Sequence, residues 1–363
     1  MADKPNIKCN IKLFFCFNLT NTIYSQKRLN TKIKNICVIG NGSWATALIK
    51  ILCESSKDIA IKWVLKNQDD IDFVKQHGHN PRYLTDVQID FKTVELVLNQ
   101  EEGIIWSDMV LVAVPSAFVN GLLSKLPPTI FKNKIILSAV KGVIPETHQI
   151  ISHYFESTWQ VPSSHIAAVS GPCHAEEVAL EKLSYLTIAT SNNDLGELLI
   201  PYLNCYYILS KYTADIYGIE YSSVLKNVYA IAGGICHGLG YGDNFQAVLV
   251  SSAAREIERF LEASHQTHRD VKENAYLGDL LVTAYSQFSR NRTFGNMIGK
   301  GYTVKSAQME MNMIAEGYYA TKTMHDINEN VRADMPILNS VFEIIYNHQS
   351  AKKVMKELTE KLI

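Results

Sequence analysis

The stretch ICVIGNGSWATALIK, residues 36 to 50, constrains the fold of this chain more than any other. A short apolar run ends in the turn Gly40-x-Gly42-x-x-Ala45, and the pattern after it predicts a helix over residues 43–55. In a dinucleotide-binding turn the first glycine permits a tight bend and the second lets the backbone approach a pyrophosphate. Ala45 stands where the third glycine is usual, so two interpretations stay open: a phosphate-binding turn and a flexible bend.

Short apolar runs alternate with helical patterns from Lys32 to about residue 212. Five runs predict strands that end in polar or Gly/Pro turns: KNICVIGNG, IAIKWVLK, DMVLVAVPS, KIILSAVKG and HIAAVSGP. This alternation is typical of a parallel sheet covered by helices. From Tyr217 onward apolar residues recur at helical spacing, so we predict two domains, residues 32–212 and an all-helical 213–363, with the boundary between Ser210 and Tyr217.

Composition excludes several classes of protein. The 363 residues carry a formal net charge of -1 without a long block of one sign, which argues against binding to nucleic acid or to a membrane surface. No apolar run reaches the roughly 20 residues that a membrane span needs. Seven cysteines without CxxC spacing indicate reduced thiols and no metal site, so we expect a cytoplasmic protein.

Residues 1–31 include IKLFFCFNLT, which resembles the apolar core of an export signal. The run is short, Asn18 and Thr20 interrupt it, and no convincing small-residue cleavage site follows. We interpret residues 1–31 as a flexible extension or an upstream start.

The segment WVLKNQDD follows the second predicted strand, where an NAD-selective site usually carries an acidic residue for the adenosine ribose. Lys66 lies near that position, and a cation there can pair with the 2′-phosphate of NADP. Ser43 and the amides after it face the same ligand from a helix N-terminus, which favours an anion. We therefore expect the cofactor to be NADP(H), or both NADP(H) and NAD(H). An equal alternative is that Lys66 is an ordinary solvated lysine at the end of a strand and has no role in cofactor selection.

Two later strands end in polar turns of the same kind. Lys141 follows the strand in SAVKGV, and Gly171, Cys173 and Ala175 follow the strand in AAVSGPCHAEEV. Ligands of open parallel sheets bind beyond the carboxyl ends of the strands, so we predict a ligand site that includes these turns.

The helical half supplies further candidates. Lys226 lies within the apolar helical pattern SSVLKNVYAIAGGI, where burial would bring the pKa of its ammonium toward the range of a general acid, unless the side chain reaches solvent. Asp279 opens a second apolar helix, which runs into the cluster SRNR. Arg290, with Ser289 and Asn291 beside it, has donors suited to a phosphate group, although a charged loop is the commoner origin of such a cluster.

Together these motifs resemble the NAD(P)-dependent glycerol-3-phosphate dehydrogenase family of bacterial type. The motifs are GNGSWATAL, AVPS, AVKG, SGPCHAEEV, LKN, GDN, LGDLLVT, SRNRTFG and AEG, in this order across roughly residues 33–350. The resemblance implies an N-terminal Rossmann-type doubly wound parallel sheet, an all-helical C-terminal domain and a substrate cleft between them. It also implies the interconversion of dihydroxyacetone phosphate and sn-glycerol 3-phosphate for phospholipid synthesis, with a homodimer as one possible assembly.

The same resemblance assigns site residues. Lys226 is implied as the proton-transfer residue, with Asp279 as its partner. The implied cofactor contacts are Gly40, Gly42, Ser43, Trp44, Lys66, Lys141, Ala175, Arg290, Ile314 and Glu316. The implied substrate contacts are Lys141, Gly171, Cys173, Lys226, Asp279, Ser289, Arg290 and Asn291.

Two departures from the family pattern and two rival functions accompany this assignment. Cys173 stands where Ser or Thr is usual, which would replace a hydroxyl hydrogen bond by a weaker thiol one, and Ala45 replaces the third glycine. A ketopantoate-type or hydroxyacid reductase has similar architecture, but SRNR favours a phosphorylated substrate. A non-catalytic dinucleotide sensor would lack the proton donor or the phosphate anchor, and this chain has both.

Overall fold

The computed structural model describes residues 32–55, 58–311 and 315–362, and from Ile33 onward the chain forms one compact unit. Its strands are β1 (Asn35–Ile39), β2 (Ala60–Val64), β3 (Val94–Val97), β4 (Met109–Val112), β5 (Ile135–Ser138), β6 (Ile166–Ser170), β7 (Ser184–Ala189) and β8 (Ile208–Thr213).

The α-helices of the described residues are α1 (Ser43–Glu54), α2 (Gln68–His77), α3 (Gln100–Trp106), α4 (Ser116–Leu123), α5 (Ile151–Trp159), α6 (Ala175–Ala179), α7 (Asn193–Leu203), α8 (Ile216–Gly238), α9 (Asp243–Ser264), α10 (Asp279–Tyr285), α11 (Arg290–Gly299), α12 (Val304–Glu310), α13 (Glu316–Val331), α14 (Pro336–Ile345) and α15 (Ala351–Lys361). A 3₁₀ turn spans Ser163–His165, and a π-helical segment, Asn274–Gly278, leads directly into α10.

All eight strands form one sheet in the order β3-β2-β1-β4-β5-β6-β7-β8. The first six are parallel and have the order 3-2-1-4-5-6 of a dinucleotide-binding doubly wound sheet. The order reverses between β1 and β4, so a crevice for a ligand lies beyond the carboxyl ends of these two strands. The five strand predictions and the helix after Gly42 are confirmed, and the predicted α/β fold is correct.

The described sheet is mostly parallel, and its one antiparallel pairing involves β7, a strand that the sequence analysis did not predict. β7 pairs with β6 in antiparallel fashion, whereas β8 is parallel to β7. Between β6 and β7 the chain forms the five-residue helix α6 and does not cross back over the sheet. It therefore re-enters the sheet at the edge where β6 ended, because a parallel neighbour would need a full crossover.

α8 is the central helix of the C-terminal half. Every residue from Gly218 to Cys236 is buried, and the helix packs against β6, α9, α10, α11, α13 and α14. No strand lies between residue 214 and residue 362 in the part that the structure describes, which confirms the prediction of a helical half. The change from strand to helix falls between Thr213 and Ile216, inside the predicted boundary interval, while the domain limits themselves stay a prediction.

Glycines bring α8 and α11 unusually close together. A Cβ added at Gly234 would lie 2.1 Å from the Arg292 carbonyl oxygen, and one added at Gly295 would lie 2.1 Å from the Ile231 carbonyl oxygen. Gly238 and Gly299, one turn further along each helix, show the same close approach. Because only hydrogen fits at these positions, α11 packs closely along the C-terminal half of α8.

No helix among the described residues is both long and apolar enough to cross a membrane.

Candidate active site

Several of the predicted site residues leave the sheet at one edge. Ile39 of β1 is paired with Val64 of β2 and with Val112 of β4, and the register continues from Val112 to Ser138 and from Ser138 to Ala168. The turn after β1, Lys66, Lys141 and the Gly171 loop each follow one of these strands within a few residues. The sheet therefore places the four segments along one edge.

The turn after β1 is held in a conformation that requires glycine. Gly40 has a φ of +135°, and a Cβ there would lie 2.2 Å from the Ala113 carbonyl oxygen. The buried Trp63 donates a hydrogen bond from Nε1 to the Gly40 carbonyl oxygen at 2.7 Å, and Asn80 donates one to the Asn41 carbonyl oxygen at 3.0 Å. The turn is therefore fixed before any ligand binds.

The other glycine of the turn faces open space. A Cβ at Gly42 would have no atom within 4 Å, and Gly42 caps α1 without a side-chain hydrogen bond. The first turn of this twelve-residue helix thus has backbone N–H groups free of a side-chain cap, beside room for a ligand. Ala45 is fully buried, so its methyl group fits the helix packing and does not narrow the turn.

Lys226 of α8 and Asp279 of α10 form a buried ion pair. Lys226 Nζ donates to Asp279 Oδ2, and both side chains are 4 % exposed. The interpretation of Lys226 as a snorkelling lysine is therefore wrong. Asp279 is the first residue of α10, and its position directly after the π-helical segment brings the carboxylate to α8.

The surroundings of this pair shift the pKa values in opposite ways. Burial, together with the charge of Lys141, lowers the pKa of Lys226 from 10.5 to about 8, although Asp279 acts in the other direction. Burial raises the pKa of Asp279, but Lys226, Lys141 and hydrogen bonds outweigh it, so the pKa lies below its usual 3.8. Asp279 is consequently ionised near neutral pH, and Lys226 is an ammonium that can release its proton near pH 8.

Lys141, Trp44 and Glu316 surround the pair. Lys141 Nζ lies 4.8 Å from the ring centroid of Trp44, a cation–π contact between the turn after β5 and the start of α1. Burial raises the pKa of Glu316 to about 7, while Arg290, Lys141 and Lys226 lower it. Trp44 Nε1 and Glu316 Oε2 are buried without a hydrogen-bond partner among the described residues, so a ligand with both a donor and an acceptor would satisfy them.

A chain of amide hydrogen bonds connects four elements of the site. Asn227 Nδ2 donates to the Lys141 carbonyl oxygen at 3.0 Å, and Asn291 Nδ2 donates to Asn227 Oδ1 at 2.9 Å. Asn291 Oδ1 in turn accepts from the Gly317 N–H at 2.9 Å. Each member is, or adjoins in sequence, one of the charged site residues, which are Lys141, Lys226, Arg290 and Glu316. The amide chain therefore fixes their relative positions.

The remaining predicted residues occupy the loop after β6 and the start of α11. Gly171 has a φ of +126°, and a Cβ there would lie 2.6 Å from the Tyr185 carbonyl oxygen. Cys173 and Ala175 are buried, and burial raises the pKa of the Cys173 thiol to about 12, so it is protonated. Ser289 caps α11 by accepting a hydrogen bond from the Arg292 N–H at 3.3 Å, and the exposed Arg290 opens that helix.

Among the described cofactor candidates, Lys66 has no contact with the cluster. Lys66 is exposed, and its side chain forms no ion pair or hydrogen bond with any described residue. Ile314 lies outside the described residues.

Sequence reasoning missed several polar residues beside the ion pair. Ser170 and Ser223 are buried and form a hydrogen-bonded pair next to Asp279, and Asn227 begins the amide chain. His174 is neutral, because burial and the charges of Lys141 and Lys226 lower its pKa to about 4. The only sign of these residues in the sequence is that each is a polar residue in an otherwise apolar segment. Many serines and asparagines with a purely structural role have the same pattern.

Within the described residues no group of three or more His, Cys, Asp or Glu side chains is arranged to hold a metal ion. The five described cysteines, Cys37, Cys53, Cys173, Cys205 and Cys236, are all free thiols.

Comparison with known structures agrees with the fold. A crystal structure of glycerol-3-phosphate dehydrogenase from Coxiella burnetii superposes with a TM-score of 0.83 at 27 % identity, over 90 % of this chain and 99 % of that one. A ketopantoate reductase from Ralstonia eutropha reaches a TM-score of 0.54 at 10 % identity, over 90 % of this chain and 99 % of that one, which shows a shared fold only.

Comparison with known sequences identifies the family. Residues 35–196 match the model for the N-terminus of NAD-dependent glycerol-3-phosphate dehydrogenase, and residues 215–356 match the model for its C-terminus. Glycerol-3-phosphate dehydrogenase [NAD(P)+] of Staphylococcus epidermidis is 30 % identical over 332 residues, 91 % of this chain and 98 % of its own length. The Staphylococcus carnosus protein of that name is 31 % identical over 327 residues, 90 % of this chain and 98 % of its own. This chain therefore belongs to the NAD-dependent glycerol-3-phosphate dehydrogenase family and is an NAD(P)-dependent oxidoreductase.

Proposed function

We propose that this protein reduces dihydroxyacetone phosphate to sn-glycerol 3-phosphate, reversibly, and that the product supplies glycerophospholipid synthesis. One observation carries the assignment of roles: the buried Lys226–Asp279 pair lies beside Lys141, near the carboxyl edge of a dinucleotide-type sheet. A protonated lysine with its charge paired in a buried site is a suitable general acid for a ketone oxygen.

The cofactor would bind along the edge of the sheet from the turn after β1 to Glu316. The contacts we assign to it are Gly40, Gly42, Ser43, Trp44, Lys66, Lys141, Ala175, Arg290, Ile314 and Glu316. The free N–H groups at the start of α1 suit a pyrophosphate, and the unpaired Trp44 Nε1 and Glu316 Oε2 suit a group with both donors and acceptors. The nicotinamide, when bound, supplies the hydride that reduces the ketone carbon.

The substrate would bind between the sheet and the helical half. Arg290, Ser289 and Asn291 at the N-terminus of α11 are assigned to its phosphate, since guanidinium and backbone N–H groups favour that anion. Lys141, Gly171 and Cys173 are assigned to its other end.

Lys226 gives the proton in this assignment. As the ketone carbon accepts hydride, the C=O bond becomes a C–O⁻ bond, and Lys226 Nζ transfers its proton to that oxygen. The products are an alcohol and a neutral amine, and Asp279 keeps the amine in place for reprotonation. Lys141 is assigned to the electrostatic stabilisation of the developing alkoxide.

Replacing Lys226 tests the assignment. Lys226→Met should lower kcat for dihydroxyacetone phosphate by about 10²- to 10⁴-fold, the usual contribution of a general acid, while cofactor binding measured by fluorescence titration is kept. Lys322→Met, which removes a surface lysine paired with Asp326, is the matched control and should behave as wild type. Turnover by Lys226→Met at the wild-type rate would exclude Lys226 as the acid. Ketopantoate assayed in parallel should not be reduced.

Arg290 is tested by a different kinetic signature. Arg290→Ala removes a proposed phosphate anchor, so KM for dihydroxyacetone phosphate should rise before kcat falls. An unchanged KM would remove Arg290 from the phosphate site.

Lys66 is our candidate for cofactor selection. It follows β2 at the edge where the turn after β1 lies, and its exposed ammonium is available to a 2′-phosphate. Lys66→Glu should shift the ratio of kcat/KM values from NADPH toward NADH. Lys75→Glu, an equal charge change on the exposed side of α2, controls for long-range electrostatics. If both variants keep the wild-type ratio, Lys66 is not the selector.

We also propose that the protein acts in the cytoplasm, and that it forms a homodimer. The odd number of cysteines and the free thiols support a reducing compartment. Sedimentation equilibrium would give the mass of the assembly, and a mass of one chain would refute the dimer. Recovery of the protein in a membrane or exported fraction would refute the location.

A further inference from the structure

Two buried serines stand behind the ion pair. Ser170, the last residue of β6, has its Oγ 2.9 Å from Asp279 Oδ2 and 2.6 Å from Ser223 Oγ. Ser223 lies on α8, three residues and about one helical turn before Lys226. All four side chains are buried, so the contacts are not shared with solvent.

The charge of Asp279 fixes the direction of these hydrogen bonds. An ionised carboxylate can only accept, so the single proton of Ser170 is donated to Asp279. Ser170 then has no proton left for Ser223, and Ser223 must be the donor in the second bond. The hydroxyls therefore form a directed chain from Ser223 through Ser170 to Asp279 Oδ2.

Lys226 donates to the same carboxylate oxygen as Ser170. Two donors on one oxygen share its electron density, so each bond is weaker than it would be alone. When Lys226 loses its proton, Asp279 loses its strongest partner while keeping its charge, and the bond from Ser170 becomes stronger. The hydroxyl chain thus favours the state that follows proton transfer.

We propose that Ser170 and Ser223 are positioning residues that compensate the charge of Asp279 when Lys226 gives its proton to the substrate. They touch neither substrate nor cofactor in this scheme and act through Asp279. The inference rests on the proposed role of Lys226 as the general acid. The two hydroxyls make Lys226 a stronger acid than it would be beside the Asp279 carboxylate alone.

Other ionisable groups also face the pair. Lys141 adjoins it from the turn after β5, Cys173 and His174 adjoin it from the loop after β6, and Glu316 approaches the same lysines from α13. These groups are identical in the serine variants. A difference between the pH profiles of the variants therefore reports the hydroxyls.

Ser222 offers a matched control. It adjoins Ser223 on α8 and is equally buried, at 3 % exposure, but its Oγ has no hydrogen-bond partner among the described residues. Ser222→Ala therefore removes the same atom from the same helix without touching the chain to Asp279.

The test compares Ser170→Ala, Ser223→Ala and Ser222→Ala in the purified enzyme, with kcat for dihydroxyacetone phosphate measured from pH 6 to 10. For Ser170→Ala the pH at which kcat falls on the alkaline side should rise by roughly half to one unit. The reason is that the pKa of Lys226 rises when Asp279 accepts a hydrogen bond from Lys226 and none from Ser170. The kcat of Ser170→Ala at pH 7 should fall about tenfold, with KM for the cofactor unchanged. Ser223→Ala should shift both quantities in the same direction by less, and Ser222→Ala should match wild type.

The possible outcomes separate the two levels of the proposal. Wild-type profiles for both Ser170→Ala and Ser223→Ala, or a downward shift, would overturn this inference while leaving the proposed function intact. An equal effect of Ser222→Ala would show that helix packing causes the change and would also overturn it. If Ser170→Ala does not fold, the comparison of Ser223→Ala with Ser222→Ala decides. Failure of the wild-type enzyme to oxidise NAD(P)H with dihydroxyacetone phosphate would instead refute the proposed function.

Discussion

The crossing of α8 and α11 provides the strongest test of how the fold sets up the site. In Gly295→Ala the new Cβ would lie 2.1 Å from the Ile231 carbonyl oxygen, about 1.3 Å short of the 3.4 Å at which ordinary contact begins. The neighbouring atoms are backbone, so no side chain can rotate away, and the two helices must separate by about 1 Å. Overpacking of this kind typically costs about 1–3 kcal/mol of unfolding free energy.

The site should lose more than the fold does. Asn291 lies four residues before Gly295 on α11, and a separation of about 1 Å would break its 2.9 Å hydrogen bond to Asn227. Arg290 would move with it, away from Lys226. Because misplacement by about 1 Å can cost 10²-fold in rate, we expect kcat/KM for dihydroxyacetone phosphate to fall by about that factor.

The assay combines steady-state kinetics with urea unfolding. Gly121→Ala is the control, since a Cβ on that exposed glycine of α4 would meet nothing within 4 Å and should stabilise the helix by about 0.5–1 kcal/mol. Cofactor affinity of Gly295→Ala should fall less than kcat/KM for dihydroxyacetone phosphate, because the turn after β1 keeps its own hydrogen bonds while Arg290 moves. A Gly295→Ala enzyme with wild-type kcat/KM and unfolding free energy would refute the reasoning.

Three further predictions follow from the site. The rate of ketone reduction should fall as pH rises through about 8, because Lys226 must carry a proton, and the rate of alcohol oxidation should rise over the same range, because Lys226 must then accept one. The same pH dependence for both directions of the reaction would contradict this. Trp63→Phe removes the hydrogen bond to Gly40, worth about 0.5–1.5 kcal/mol, so KM for the cofactor should rise about threefold to tenfold in steady-state assays. An unchanged KM would show that the turn does not depend on this hydrogen bond. Asn227→Ala breaks the amide chain, so kcat should fall about tenfold and KM for dihydroxyacetone phosphate should rise, whereas the control Lys322→Met should behave as wild type. A change in cofactor affinity alone would contradict the positioning role of Asn227.

The sheet was predictable from sequence because its strands carry strong local signals. Each of the five predicted strands is an apolar run bounded by Gly, Pro or polar residues, and the helix after Gly42 has a regular apolar face. β3 and β8 gave no clear signal: β3 has four residues, and β8 alternates polar and apolar residues over ILSKYT at the sheet's edge. The reversed direction of β7 depends on the path of the loop after β6, which no local pattern records.

The charged residues of the site were also accessible to sequence reasoning, but their partners were not. Lys226 and Asp279 interrupt apolar helical patterns, which drew attention to each of them. The hydroxyl pair of Ser170 and Ser223 joins residues 53 positions apart, and the amide chain joins three separate turns or helices to α8. Contacts of this kind exist only after α8 has packed against β6 and α11, so spacing along the sequence could not reveal them.

The two lysines of the site are suited to different tasks by their surroundings. Lys226 is buried and paired with one carboxylate, so its charge is compensated before the transfer and its proton is exchangeable near neutral pH. Lys141 is half-buried with its ammonium over the Trp44 ring, and its backbone carbonyl accepts a hydrogen bond from Asn227. A fixed charge lowers the energy of a developing alkoxide without transferring a proton, whereas the alkoxide becomes an alcohol only if a second group gives one up. The proposed mechanism therefore divides the reaction between Lys141 as the electrostatic stabiliser and Lys226 as the acid, and it gives the buried carboxylate and the hydroxyl chain beside Lys226 a role in that transfer.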